Sequence, residues 1–229
     1  MIRALVFDFD GLILDTEMPV FVAWQEVYRA YGCTLTLAAW SACLGSGDPA
    51  AFDPYLHLEA QLGRPVDRAA VDRQQQPRET ELLAAQTVLP GVEAYLRDAR
   101  RLGLGLAVAS SSPHSWVDGH LDRLGLLPWF DTVKCSEDVT VTKPAPDLYL
   151  AAVEALDVLP AEAIALEDSP NGILAARRAG LFCVAVPNLL TRQLDTSHAD
   201  LRLDSLADLP LEALLGRVEQ SRPIRESIP

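Results

Sequence analysis

The stretch Ile2-Arg3-Ala4-Leu5-Val6-Phe7-Asp8-Phe9-Asp10-Gly11 decides how the rest of the chain is read. Its apolar run, Ile2 to Phe7, has the length and composition of a buried strand. It then breaks into two carboxylates one residue apart, followed by a glycine. In open α/β sheets, chemistry sits beyond the carboxyl ends of the strands, where Asp8 and Asp10 would fall. A buried carboxylate is costly unless it is paired, hydrogen-bonded or bound to a metal. Taken alone, the tetrapeptide reads better as a strand-to-turn junction, because Asp and Gly are ordinary turn residues. The chain carries 32 acidic residues, so that plain reading holds until the other segments are considered.

After Asp15 the pattern changes. Phe21, Trp24, Val27, Tyr28 and Tyr31 recur at helical spacing, and Gly32 closes the segment. Helix-like pieces continue through Trp40, Leu44, Tyr55, Leu58 and Leu62, and a polar helix is expected from about Asp67 to Gln86. No strand is expected between Thr16 and Thr87. From Leu89-Pro90-Gly91 onward, strand and helix alternate. Strands are expected at Leu104–Ala109, Thr132–Cys135, Ala163–Leu166 and Phe182–Val186. Helices are expected at Gly91–Arg101, Pro113–Leu124, Pro146–Leu156 and Asn171–Ala179. Short apolar strands alternating with helices imply a parallel sheet covered on both faces. The expected fold is α/β: a Rossmann-like core formed by 1–15 and 88–229, with an all-α cap, 16–87, inserted after the first strand. The C-terminal tail, with Pro223 and Pro229, is expected to fray.

At 229 residues and 49% hydrophobic, the chain can bury a substantial core. A net charge of -13 argues against a nucleic-acid or anionic-membrane surface. An anionic substrate would need local cations, from a metal or a lysine. Cys33, Cys43, Cys135 and Cys183 are scattered, and the four histidines do not cluster with them, so a zinc site is not expected. Free thiols in a reducing cytoplasm are expected instead. Asp8, Asp10 and Asp15 interrupt the N-terminal apolar run, which therefore does not read as a signal peptide. No stretch is long and apolar enough to span a bilayer. A cytoplasmic monomer follows as the expectation.

Three more polar signals fall after apolar strands: Ser110-Ser111-Ser112, Lys143-Pro144 and Glu167-Asp168-Ser169. If the strands are parallel, all four signals meet at one edge of the sheet. Hard carboxylate ligands suit magnesium. A hydroxyl and an ammonium suit a phosphoryl group. A carboxylate can act as nucleophile through an aspartyl-phosphate. Each signal also has a plain structural reading. Ser110 or Ser112 could cap the helix near Pro113, Lys143 could be a surface lysine, and Glu167 and Asp168 could cap the helix at Asn171.

The order Asp8-Phe9-Asp10-Gly11, Ser110, Lys143, Glu167-Asp168 resembles the four motifs of the haloacid dehalogenase superfamily. Leu89-Pro90-Gly91-Val92, Lys143-Pro144-Ala145-Pro146-Asp147 and Glu167-Asp168-Ser169-Pro170-Asn171-Gly172 are similar to its branch of sugar-phosphate phosphatases and β-phosphoglucomutase. The resemblance implies that Asp8 attacks phosphorus, and that Asp10 protonates the leaving oxygen and then activates water. It implies Mg2+ on Asp8, the Asp10 carbonyl and Asp168, with Glu167 bound directly or supporting. It implies Ser110 and Lys143 on the phosphoryl group. Substrate contacts are expected from Ser110, Ser111, Ser112, Lys143, Glu17 and His114, with Trp24, Ser46, Asp48, Arg73 and Arg78 as further cap candidates. Where the mutase branch has a hinge His, a cap Arg and Lys-Asn, this sequence has Val20, Asp48, Pro113 and His114. The reading is a Mg2+-dependent phosphatase for a small phosphorylated metabolite such as a sugar phosphate. The alternatives are a phosphohexomutase, a dehalogenase or a non-catalytic binding module.

Overall fold

The structure, a computed structural model, describes residues 1–44 and 52–221. Six strands form one parallel sheet: β1 (Ala4–Phe7), β2 (Gly105–Ala109), β3 (Thr132–Lys134), β4 (Ala163–Glu167), β5 (Phe182–Ala185) and β6 (Leu201–Arg202). Their order is β3-β2-β1-β4-β5-β6. The chain winds outward on one side of β1, then crosses over and winds outward on the other. A crevice at such a reversal, beyond the carboxyl ends of β1 and β4, is the usual ligand site of this architecture.

The two faces of the sheet differ in side-chain size, and period-two alternation produces the difference. Leu5, Phe7, Leu106, Val108, Ile164, Leu166 and Val184 point to one face. There they meet α5 (Val92–Arg101), α6 (His114–Arg123) and α9 (Leu211–Ser221). Ala4, Val6, Ala107, Ala109, Ala163, Ala165, Cys183 and Ala185 point to the other. Small residues there let α7 (Asp147–Ala155) and α8 (Pro170–Ala179) pack close to the sheet. The alternation continues past the strand ends. Phe7 pairs with Leu166, so Asp8 and Glu167, next in register, are neighbours on the small-residue face.

Four helices lie between β1 and α5: α1 (Glu17–Ala30), α2 (Leu37–Leu44), α3 (Pro54–Leu62) and α4 (Arg68–Ala84). They share a separate apolar cluster built on Phe21, Trp24, Val27, Tyr28, Leu58 and Val71. Leu190, in the loop after β5, joins that cluster and ties it to the core. Among the described residues no strand lies between Thr16 and Thr87, as the sequence predicts.

Two elements depart from expectation. A two-residue strand, β6, is too short to show a period. The sequence reading also assigns no helix to Leu211–Ser221, yet α9 forms there, with Leu211, Leu214 and Val218 buried at helical spacing against α5. Pro223 and Pro229 lie outside the described residues. Among the described residues no helix is long and apolar enough to cross a membrane.

Candidate active site

Asp8 leaves β1 with its carboxylate facing Glu167. Two neighbouring buried carboxylates repel unless a cation lies between them. Lys143 supplies it: Nζ donates to Asp8 Oδ1 at 2.5 Å and to Glu167 Oε1 at 2.6 Å. Lys143 arrives on the loop before α7, which packs on the same small-residue face. Burial works against its ammonium, but Asp8 and Glu167 outweigh burial and hold its pKa above the ordinary lysine range.

Glu167 is fully buried. Its Oε1 also accepts from Tyr149 Oη at 2.7 Å, and its Oε2 accepts from the backbone N–H groups of Asp168 and Ser169 and from Ser169 Oγ. Both oxygens are thus engaged by protein donors, which suits Glu167 to supporting its neighbours. The helix start beside it must be glycine. A Cβ on Gly172 would stand 1.8 Å from Glu167 Oε1. Gly172→Ala is therefore expected to cost about 3 kcal/mol, the upper part of the overpacking range. Urea denaturation checks this. The cap of α8 is Ser169, whose Oγ accepts from Gly172 N, so neither Glu167 nor Asp168 plays that part.

Asp168 follows β4 and is buried. Its Oδ2 accepts from Asn188 Nδ2 at 2.9 Å and Thr191 Oγ1 at 3.3 Å, both in the loop after β5. Gly11 closes over it with φ +84, and a Cβ there would meet Asp168 Oδ2 at 2.4 Å. Side-chain oxygens of Asp8, Glu167 and Asp168 lie within 4.8 Å of one another. Burial, foremost, pushes Asp8 up to about 8, with Lys143 opposing and Glu167 and Asp10 adding to the shift. Burial likewise raises Asp168 well above the usual carboxylate range, with Asp8, Glu17 and Glu167 contributing. Three buried carboxylates facing one ammonium leave the cluster short of positive charge. An all-oxygen donor set of this kind fits a hard divalent cation such as magnesium.

Asp10 turns away from this cluster. Its Oδ1 accepts from Thr16 Oγ1 and Trp116 Nε1, each at 2.9 Å. Its Oδ2 accepts from Ser112 Oγ at 2.6 Å and Ser110 Oγ at 3.4 Å. Ser112 thus serves Asp10 and does not cap α6. That helix begins instead with His114 N donating to the Glu137 carboxylate. A cavity of about 480 Å³ opens over these groups. Asp8, Asp10, Lys143 and Asp168 line it together with Ser110, Ser111 and Ser112. Glu17, Val20, Trp40 and Trp116 also line it.

Glu17, the first residue of α1, faces this cavity. Its Oε2 is buried with no hydrogen-bond partner among the described residues. Burial, then the charge of Asp10, raises its carboxyl to about 7. His114 does not join the site. Its ring lies between Asp118 and Asp138, at 3.0 and 2.8 Å, and two carboxylates hold it there, so the expected substrate contact is corrected. Arg78 is tied to Glu26 and Glu81, Arg73 lies near Asp67, and Trp24 packs edge-on against Tyr55. Ser46 and Asp48 lie outside the described residues.

The profile of the haloacid dehalogenase-like hydrolases matches residues 2–180. The chain belongs to this family. It is 43% identical over 218 residues to "Putative phosphatase YhcW" of Bacillus subtilis, covering 95% of this chain and 98% of that one. It is 34% identical over 186 residues to the fructose-1-phosphate phosphatase YqaB of Escherichia coli, covering 80% and 95%. The crystal structure of CbbY from Rhodobacter sphaeroides in complex with phosphate superposes with a TM-score of 0.69 at 31% identity, covering 93% and 99%.

The sequence motifs pointed to Asp8, Asp10, the serines, Lys143, Glu167 and Asp168. They did not point to Thr16, Trp116, Tyr149 or Asn188. Asn188 does follow β5, and a polar side chain just after a strand was the signal available for it.

Proposed function

We propose that this phosphomonoesterase of the haloacid dehalogenase-like family uses magnesium and an aspartyl-phosphate on Asp8, and that its substrate is a small sugar phosphate. The observation that carries the reading is the buried Asp8 carboxylate at the cavity floor. It is bridged to Glu167 by Lys143 and stands beside Asp168, while Asp10 is held separately by hydroxyl and indole donors. The relatives named as phosphatases, and the crystallisation of CbbY in complex with phosphate, support a phosphorylated substrate.

In this reading Asp8, the Asp10 carbonyl and Asp168 would hold the magnesium, with Glu167 supporting them through Lys143 and the backbone. The ion would supply positive charge to equatorial phosphoryl oxygens and keep Asp8 ionised. Asp8 attacks phosphorus as the bond to the leaving oxygen breaks, and Asp10 gives that oxygen a proton. Water then attacks the aspartyl-phosphate, Asp10 takes a proton from it, and phosphate leaves. Lys143 and Ser110 orient the phosphoryl oxygens. Ser111, Ser112 and Glu17 meet the rest of the substrate, and the unpartnered Glu17 oxygen suits a sugar hydroxyl. The helices of 16–87, inserted between 1–15 and 88–229, act as the cap. The bridge between Leu14 and Val88 closes its two ends onto the core and supports those boundaries.

The test is phosphate release in magnesium across hexose 1- and 6-phosphates, 2-deoxyglucose 6-phosphate, phosphoglycolate and nucleotides. Selective release from the sugar phosphates is expected. Conversion of β-glucose 1-phosphate to glucose 6-phosphate with a bisphosphate primer, and no release, would show a mutase instead. EDTA is expected to abolish release and magnesium to restore it, while calcium inhibits because its looser coordination spoils the in-line geometry. Magnesium at a hundredfold excess over its Kd should also stabilise the fold by about 2.7 kcal/mol, read by thermal unfolding. Full activity in EDTA would remove the metal from the reading.

A further inference from the structure

We infer that Trp116 is a positioning residue that decides which oxygen of Asp10 handles the proton. The inference rests on Asp10 acting as the acid and base of the reaction proposed above. An indole N–H can only donate, so it cannot face a protonated oxygen. Trp116 Nε1 occupies Asp10 Oδ1 at 2.9 Å, together with Thr16 Oγ1. That reserves Oδ2 for the proton. Oδ2 is the oxygen beside Ser112 and Ser110, whose hydroxyls can donate or accept and which line the same cavity as Asp8 and Lys143.

The indole is itself held in place. Its ring meets His120 edge-on, with centroids 4.4 Å apart, and His120 stacks on Phe9 at 6.2 Å. Phe9 is the residue between Asp8 and Asp10, and its side chain goes to the large-residue face where α6 packs. The side chains of Phe9 and Asp10 are therefore both held by one helix. In the first transfer the Asp8–phosphorus bond forms, the bond to the leaving oxygen breaks, and the proton on Oδ2 passes to that oxygen. Trp116 touches neither phosphorus nor leaving group in this scheme, and its effect travels through Asp10.

The test is the dependence of kcat/KM on the leaving group, because a good leaving group needs no proton. For Trp116→Phe, kcat/KM on a hexose 6-phosphate should fall roughly tenfold or more, the worth of a hydrogen bond to a charged group, and hardly change on p-nitrophenyl phosphate. Trp116→His places its Nε2–H where the indole N–H stood, since both are the same position of a five-membered ring. It should recover much of the hexose phosphate rate, and it serves as the probe if the phenylalanine variant fails to fold. Equal losses on both substrates, or a histidine variant no better than phenylalanine, would overturn the inference. Asp10→Asn is the control: a loss confined to the hexose phosphate keeps Asp10 as the acid, so failure then belongs to Trp116 alone. If Asp10→Asn loses equally on both substrates, the role of Asp10 fails and takes the Trp116 inference with it.

Discussion

Asp8→Asn is expected to lower phosphate release by roughly a thousandfold or more, the scale seen when a covalent nucleophile is removed. An amide oxygen in that place is a poor nucleophile, and an amide nitrogen would confront Lys143 Nζ, now 2.5 Å from the carboxylate. The loss should fall on every substrate, whatever its leaving group, which separates it from a loss at Asp10. The same variant carries a stability signature. Burial pushes the Asp8 carboxyl up to about 8, so in metal-free buffer the folded state keeps a proton that the unfolded chain releases from about pH 4. Between those values the folded state binds more protons, and stability falls as pH rises. Asp8→Asn should flatten that fall, leaving the part that belongs to Asp168. Thermal unfolding at pH 5 and pH 8 in EDTA reads it. A variant with wild-type turnover would end the covalent reading, and an unchanged pH slope would show that Asp8 ionises freely when buried.

The second large effect is at Lys143. Lys143→Met removes the one ammonium that bridges Asp8 and Glu167, both buried. Breaking a buried ion pair by deleting one partner costs about 3–5 kcal/mol, because the remaining charge has no compensation. Here two carboxylates are left, and Glu167 keeps only Tyr149 Oη, Ser169 Oγ and two backbone N–H groups. The cost should shrink at lower pH, where the carboxyls take up protons. Adding Glu167→Gln should restore part of the stability, since it removes the stranded charge while keeping the shape. It should not restore turnover, which is expected to fall roughly a hundredfold or more with the phosphoryl-facing cation gone. Urea denaturation of both variants at pH 6 and pH 8, beside phosphate release, separates the two contributions. If the single variant were as stable as the parent at pH 8, Lys143 would not be the counter-charge of this cluster.

The difference between these two residues and Trp116 or His114 shows what the chain declares by itself. Asp8, Asp10, Lys143 and the Glu167-Asp168 pair each follow a short apolar strand or its loop. Strand ends are legible because burial and period are local properties of a few consecutive residues. From them came the α/β class and the parallel sheet; the all-helical insert came from helical spacing after Asp15, and the family from the resemblance of the four motifs in their order. α9 was not among the expected elements, although Leu211, Leu214 and Val218 recur at helical spacing. His114 was misplaced because its position in the sequence is beside the second motif, while its partners, Asp118 and Asp138, are reached only once α6 and the loop after β3 are packed.

Trp116 and Asp10 are 106 residues apart, and Lys143 and Asp8 are 135 apart. Sequence order said that Lys143 belonged near the acids, but the strand register decided that it lies between Asp8 and Glu167. The single-residue alternation of the sheet sent Phe9 to one face and Asp8 and Glu167 to the other, so one helix holds Phe9 and Asp10 while the lysine bridges Asp8 and Glu167. Which donors aim each carboxylate depends on rigid elements meeting across the sheet, and no local pattern encodes such a meeting. The sequence by itself determined the kinds of chemical group and the edge of the sheet to which they belong. Tertiary packing alone decided which donors meet each oxygen of Asp8, Asp10, Glu167 and Asp168.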